Sequence, residues 1–147
     1  MKLVIIEPLG VEKEKLLSMA QEALSGRMEI VYYDTRTTDT NELIQRGEDA
    51  DVIVVSNLSL NGDVIRGCRN LKLLSVAFTG VDHIDMAACR ARGITVCNCA
   101  GYSTCAVADL VFGLLISLYR NIIPCDRVCR RGGTKDGLVG FELEGKT

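Results

Sequence analysis

The chain has 147 residues, 48% hydrophobic and 24% charged, and its 17 basic against 19 acidic side chains leave a net charge of -2. That size and mix suit one globular domain with a core of its own, not a disordered or fibrous chain. With no basic run, the charge balance sets aside nucleic acid and anionic membrane as partners.

Leu3–Ile6 is a continuous apolar run, as in a strand covered on both faces. It follows Met1-Lys2 directly and is too short for the core of a signal peptide. Glu12 to Ala23 predicts a helix, with Leu16, Leu17, Ala20 and Leu24 at helical spacing and Gly26 as its stop. Ile30–Tyr33 is the second strand. Asp39 can cap a short helix through Leu43-Ile44 that closes at Gly47. Asp51–Val55 is the third strand, with Ser56-Asn57 at its carboxyl end. Asn61 opens a helix holding Val64-Ile65, and Leu73–Val76 is the fourth strand. Asp85–Arg92 forms a helix stopped by Gly93, and Ile94–Val96 is the fifth strand.

Strict alternation of short apolar strands with helices implies parallel strands and right-handed crossovers. The expected fold is α/β: a flavodoxin-like, doubly wound, five-stranded parallel sheet in the order 2-1-3-4-5. A long helix over 103–121 follows. Its Val107, Leu110, Val111, Phe112, Leu114, Leu115, Ile116 and Leu118 cover nearly the whole circumference. Such a helix should be buried on most sides, so a second domain or a second subunit is expected against it, and a homodimer through 103–121 is the specific expectation. Residues 122–147 are polar and glycine-rich with little periodicity, and read as a hinge or linker after a domain of residues 1–121.

The seven cysteines imply reduced thiols in a cytoplasmic protein. Cys97-x-Cys99 and Cys125-x-x-x-Cys129 lack the C-x2-C spacing of structural zinc knuckles, so no metal site is expected. The 107–118 run is too short and too interrupted to span a bilayer.

Four places could carry chemistry. The loop Phe78-Thr79-Gly80-Val81-Asp82 ends the fourth strand, where open α/β sheets bind ligands and free backbone N–H groups can hold a carboxylate. Asn57 lies on the same rim. Ser103-Thr104 opens the long helix, whose N-terminal N–H groups suit a polar or anionic ligand, although Ser103 could simply cap it. His83 is the one histidine, and a general acid is the tempting reading. Gly140-x4-Gly145-Lys146-Thr147 spells a phosphate loop, but no apolar strand precedes it, and Glu142 and Glu144 would repel phosphate within it. A G-x-G-x-x-G dinucleotide fingerprint is absent from the sequence.

Taken in order, Thr79-Gly80-Val81-Asp82-His83-Ile84-Asp85, Gly93-Ile94-Thr95-Val96-Cys97-Asn98, Val107-Ala108-Asp109, Arg120 and Gly140-Phe141-Glu142-Leu143-Glu144-Gly145-Lys146-Thr147 form a set. The set resembles the D-isomer-specific 2-hydroxyacid dehydrogenases, with His83 for an asparagine, Ala100 for a proline and Asp109 for a glutamate. The resemblance implies the N-terminal substrate-binding (catalytic) domain of an NAD- or NADP-dependent oxidoreductase that interconverts 2-keto acids and D-2-hydroxy acids. It implies that Phe78, Thr79 and Gly80 hold the substrate carboxylate, that Asn57 lines the pocket, and that Thr104 and Val107 lie at the nicotinamide end of the cofactor. In the family the catalytic arginine, glutamate and histidine follow the point where this sequence stops, which is also where the nucleotide-binding domain begins. This stretch by itself is therefore expected to be inactive, with no catalytic residue of its own and His83 in a structural place.

Two other classes share this strand order or fold. A receiver-type signalling module needs an acidic pair after the first strand and an aspartate after the third, where this chain has Glu7-Pro8-Leu9 and Ser56-Asn57. A non-enzymatic ligand-binding or dimerising module with the same fold is the remaining alternative.

Overall fold

The computed structural model describes residues 1–146; Thr147 lies outside them, and with it the last position of the phosphate-loop pattern. Five short strands alternate with helices: β1 (Lys2–Ile5), β2 (Glu29–Tyr32), β3 (Val52–Val55), β4 (Leu73–Val76) and β5 (Thr95–Asn98). All neighbours pair in parallel, in the order β2-β1-β3-β4-β5 expected from the sequence. Between them run α1 (Lys13–Leu24), α2 (Thr40–Gly47), α3 (Gly62–Gly67) and α4 (Met86–Ala91).

The register places Val4 beside Ile53, Ile53 beside Leu74 and Leu74 beside Val96. Val4, Ile53, Val55, Leu74 and Val76 are completely buried, and Leu43, Val64, Ile65 and Cys89 from α2, α3 and α4 belong to the same core. At about 1.5–3 kcal/mol for each large side chain withdrawn from water, this layer dominates the sheet's stability. The alternate residues Leu3, Val54, Leu73 and Ser75 are only half-buried. On that same face Ile5 and Val52 are buried, so both faces of the central strands are covered, one of them less completely.

Asp39, Asn61 and Asp85 cap α2, α3 and α4, each accepting first-turn N–H groups at 2.8–3.0 Å. Gly47 and Gly67 are where helices come closest: an added Cβ would sit 2.7 Å from Cys68 Sγ and from Ile44 Cγ1 respectively.

The chain divides into two compact units, Met1–Gly101 with the whole sheet and the segment from Tyr102 onward. The second holds α5 (Thr104–Tyr119) and α6 (Ile122–Cys129). α6 occupies a stretch whose sequence showed little periodicity. Pro124 is tolerated there because it falls in the first turn, where its missing N–H has no helical acceptor. Asn121, in the left-handed region at φ 53°, makes the corner between the two helices. Within this unit Phe141 N donates to Tyr119 O at 2.8 Å, and the two rings pack edge to face.

No single helix among the described residues is long and apolar enough to cross a membrane; α5 and α6 reach that length only as a pair bent by 58°.

Candidate functional site

The carboxyl ends of β1, β3 and β4 form a rim on which most of the expected site residues fall. After β4 the chain enters Phe78-Thr79-Gly80. Two carbonyls of this loop are pinned from β5: Cys99 N donates to Phe78 O at 3.0 Å, and Asn98 Nδ2 donates to Thr79 O at 2.7 Å. Among the described residues, the N–H groups of Phe78, Thr79 and Gly80 donate to no protein acceptor. Two carbonyls held back and three successive N–H groups without a protein acceptor leave donors available to an anion.

Gly80 does not have a positive φ, and an added Cβ would meet only Asp82 Oδ2, at 3.4 Å. The fold does not require glycine at this position. What the missing side chain preserves is open space beside the free N–H groups. Thr79 is exposed and Phe78 is 39% exposed.

His83 packs its ring edge-on to Phe78, with centroids 6.5 Å apart, and its carbonyl accepts the N–H of Leu60 at 2.9 Å. Its Nε2 is buried without a partner. Ring packing and the link to Leu60 tie His83, which is half-buried, to the loop.

Asn57 stands on the β3 exit, exposed. The residues around it are held by a group the sequence reading did not single out as functional. Glu7, at the end of β1 and only 1% exposed, accepts Ser56 N and Leu58 N with one carboxylate oxygen, both at 2.9 Å. Its other oxygen lies 3.4 Å from Arg36 Nε on the segment after β2. A second cation, Arg46, is 6% exposed and donates to Ile6 O at 3.0 Å and Thr35 O at 2.6 Å, with its guanidinium 4.6 Å from the Tyr33 ring centroid. Arg46 also pairs with Glu42, whose carboxyl is held below the usual range by hydrogen bonds from Thr37 and then Arg46. Glu7 and Arg46 thus lock the exits of β1, β2 and β3 against one another. One sequence signal could have found Glu7: a lone acid that interrupts an apolar strand end, Ile6-Glu7-Pro8.

In the second unit, Thr104 and Val107 lie in the first two turns of α5, both exposed. Ser103 makes no side-chain capping bond, so the first-turn N–H groups of α5 have no side-chain acceptor. No group of three or more His, Cys, Asp or Glu side chains able to hold a metal occurs among the described residues. All seven cysteines are free thiols; burial pushes Cys68 up to about 11.

The model of the D-isomer specific 2-hydroxyacid dehydrogenase catalytic domain matches residues 3–142. The chain belongs to this dehydrogenase family. It is 34% identical, over 99% of its length, to D-3-phosphoglycerate dehydrogenase of Methanocaldococcus jannaschii, covering 26% of that protein. It is also 34% identical, over 96% of its length, to hydroxypyruvate reductase of Thermotoga maritima, covering 44% of it. Among solved structures, an acyclic imino acid reductase in complex with NADPH and D-Arg superposes with a TM-score of 0.83 at 29% identity, over 97% of this chain and 46% of that one. An NAD-dependent formate dehydrogenase from Staphylococcus aureus in complex with NAD superposes with a TM-score of 0.77 at 25% identity, over 97% of this chain and 46% of that one. This dehydrogenase-family chain therefore spans between a quarter and a half of the relatives it matches.

Proposed function

We propose that this chain is the substrate-binding part of an NAD- or NADP-dependent oxidoreductase interconverting 2-keto acids and D-2-hydroxy acids. The observation that carries the reading is the Phe78-Thr79-Gly80 loop. Its carbonyls are tied to β5, its N–H groups are unmatched, and it stands where doubly wound sheets bind ligands. The loop holds the carboxylate of the acid by its backbone. Asn57, fixed by Glu7 through its two neighbours, lines the side of the pocket.

Thr104 and Val107 face the nicotinamide end of the cofactor. The uncapped first turn of α5 fits a polar amide at that edge, but nothing in the chain fits a dinucleotide's phosphates, because the glycine fingerprint is absent. When bound, the cofactor supplies the hydride for C2 of the acid. This chain contributes position and exclusion of water. His83, with Nε2 buried and its ring against Phe78, supports the loop and is not its general acid. Residues 1–121 form the substrate domain and 122–147 lead onward as a hinge. A homodimer forms through the 103–121 helix, and the protein works in the cytoplasm.

The test is a chimera. The purified chain with NADH and any 2-keto acid is expected to give no NADH oxidation. Spliced in place of the matching region of the Thermotoga maritima hydroxypyruvate reductase, it is expected to restore 2-keto acid-dependent NADH oxidation. Turnover by the chain alone would overturn the assignment of the chemistry, and a folded but inactive chimera would overturn the substrate-binding role.

A further inference from the structure

The two pinned carbonyls of the loop after β4 are held by different means. Phe78 O accepts from a backbone donor, Cys99 N, at 3.0 Å. Thr79 O accepts from a side chain, Asn98 Nδ2 at 2.7 Å, and from no other donor among the described residues. In a planar trans peptide the C=O and the next N–H point in opposite directions. Each pinned carbonyl therefore aims one N–H: Cys99 aims that of Thr79, and Asn98 aims that of Gly80.

The two peptides differ in how easily they could turn over. Rotating the Phe78–Thr79 peptide would carry the φ of β-branched Thr79 toward positive values, which is costly. Rotating the Thr79–Gly80 peptide would do the same to Gly80, which accepts either sign and now has no positive φ. The peptide that glycine leaves free to turn is thus the one that Asn98 holds. Asn98 is exposed, so water could also bond Thr79 O, but water would serve that carbonyl in either orientation. A donor fixed in space selects one, and Asn98 is fixed by its pairing beside Val76 in the sheet.

We propose that Asn98 is the positioning residue of this loop: it selects the peptide orientation in which Gly80 N–H, and not Thr79 O, faces the substrate carboxylate. This rests on the reading of Phe78-Thr79-Gly80 as the carboxylate's anchor. With the peptide turned over, a carbonyl oxygen would stand against the carboxylate, and repulsion would replace a charge-assisted hydrogen bond. Bonds of that kind are the stronger ones, so losing the orientation is expected to weaken 2-keto acid binding by about tenfold or more.

The experiment is NMR on the full, isotope-labelled chain. N–H residual dipolar couplings in a weakly aligned sample report the direction of each loop amide, and a pyruvate titration reports binding. In the parent chain pyruvate is expected to shift the Thr79 and Gly80 amides together. Asn98→Ala, checked for an unchanged melt, is expected to change the Gly80 coupling, leave that of Thr79 at its parent value, and weaken pyruvate binding by about tenfold. Asn98→Asp keeps the side chain's shape while removing its donor, and is expected to change the Gly80 coupling in the same way. That variant is read by couplings alone, because its charge would itself repel pyruvate. A Gly80 coupling that keeps its parent value in both variants would overturn the Asn98 inference. So would a changed coupling with pyruvate affinity intact, or equal changes at Thr79 and Gly80, which would make Asn98 a tie for the whole loop. Thr79 and Gly80 amides silent to pyruvate in the parent chain would instead overturn the loop reading and the ligand with it, while the couplings test the aiming of Gly80 by themselves.

Discussion

Gly80 separates what the fold needs from what a ligand needs. Its φ is ordinary, and a Cβ would find only Asp82 Oδ2 at 3.4 Å, so Gly80→Ala should leave stability within about 0.5 kcal/mol of the parent. The methyl group would stand in the space beside the three open N–H groups. The expected outcome is an unchanged urea midpoint with loss of the 2-keto acid shifts at Thr79, and retained binding in Gly80→Ala would remove the carboxylate from this loop. The sequence made this loop legible because its signals are local: an apolar strand, then a glycine and an acid within five residues. Glu7 was not legible in the same way. Its partners Ser56 and Leu58 lie 49 and 51 residues away, and only the pairing of β1 with β3 brings them together. His83 is set aside as a general acid by the resemblance, and in the structure its ring packs edge-on to Phe78 with Nε2 buried.

The elements were readable where local chemistry closes both ends. β4 runs over Leu73–Val76 as expected, and α2, α3 and α4 start at the aspartates and asparagine that cap them. β5 is shifted by one to two residues, because Ile94 N is spent on Cys89 O at 2.9 Å in the turn leaving α4, whereas Asn98 is still paired with Val76. The start of the sheet depends on a charged clamp that no local pattern announces. Asp51 accepts Lys72 Nζ at 2.6 Å and Lys2 N at 2.9 Å, fastening β1, β3 and the approach to β4. The hydrogen bond from Lys72, followed by that from Lys2, holds the Asp51 carboxyl below its ordinary value of 3.8. A depressed carboxylate stabilises the fold above its unfolded pKa, and that contribution disappears as pH falls through the lower, folded value. The melting temperature should therefore fall as pH drops below about 4, and Asp51→Asn should flatten that fall while lowering the melt at pH 7. An equally steep acid limb in the variant would assign it to other carboxylates.

At the scale of the molecule, the sheet unit closes its main core, while α5, apart from the packing of Phe141 on Tyr119 at its end, leaves most of its apolar side chains exposed. Val107, Leu110, Val111, Phe112, Leu114 and Leu118 are each 56% exposed or more, on a helix of 16 residues. That is a rod about 24 Å long with apolar side chains all round. Exposed apolar surface of this kind marks an interface, and a stable dimer buries about 1,200–2,000 Å² in all. A two-fold arrangement would lay α5 of one copy along α5 of the other, so each apolar side chain counts twice. We expect sedimentation velocity of the chain to show a monomer–dimer equilibrium in the micromolar range. Leu118→Glu, at the most exposed apolar position of the helix, should move the midpoint to higher concentration by at least tenfold with helical circular dichroism retained. A clean monomer at every concentration would overturn the dimer, because the helix would then have to be covered by something other than a second copy. Higher aggregates without a discrete dimer would overturn it as well, since they would mean that the rod associates through all its faces instead of one self-complementary stripe.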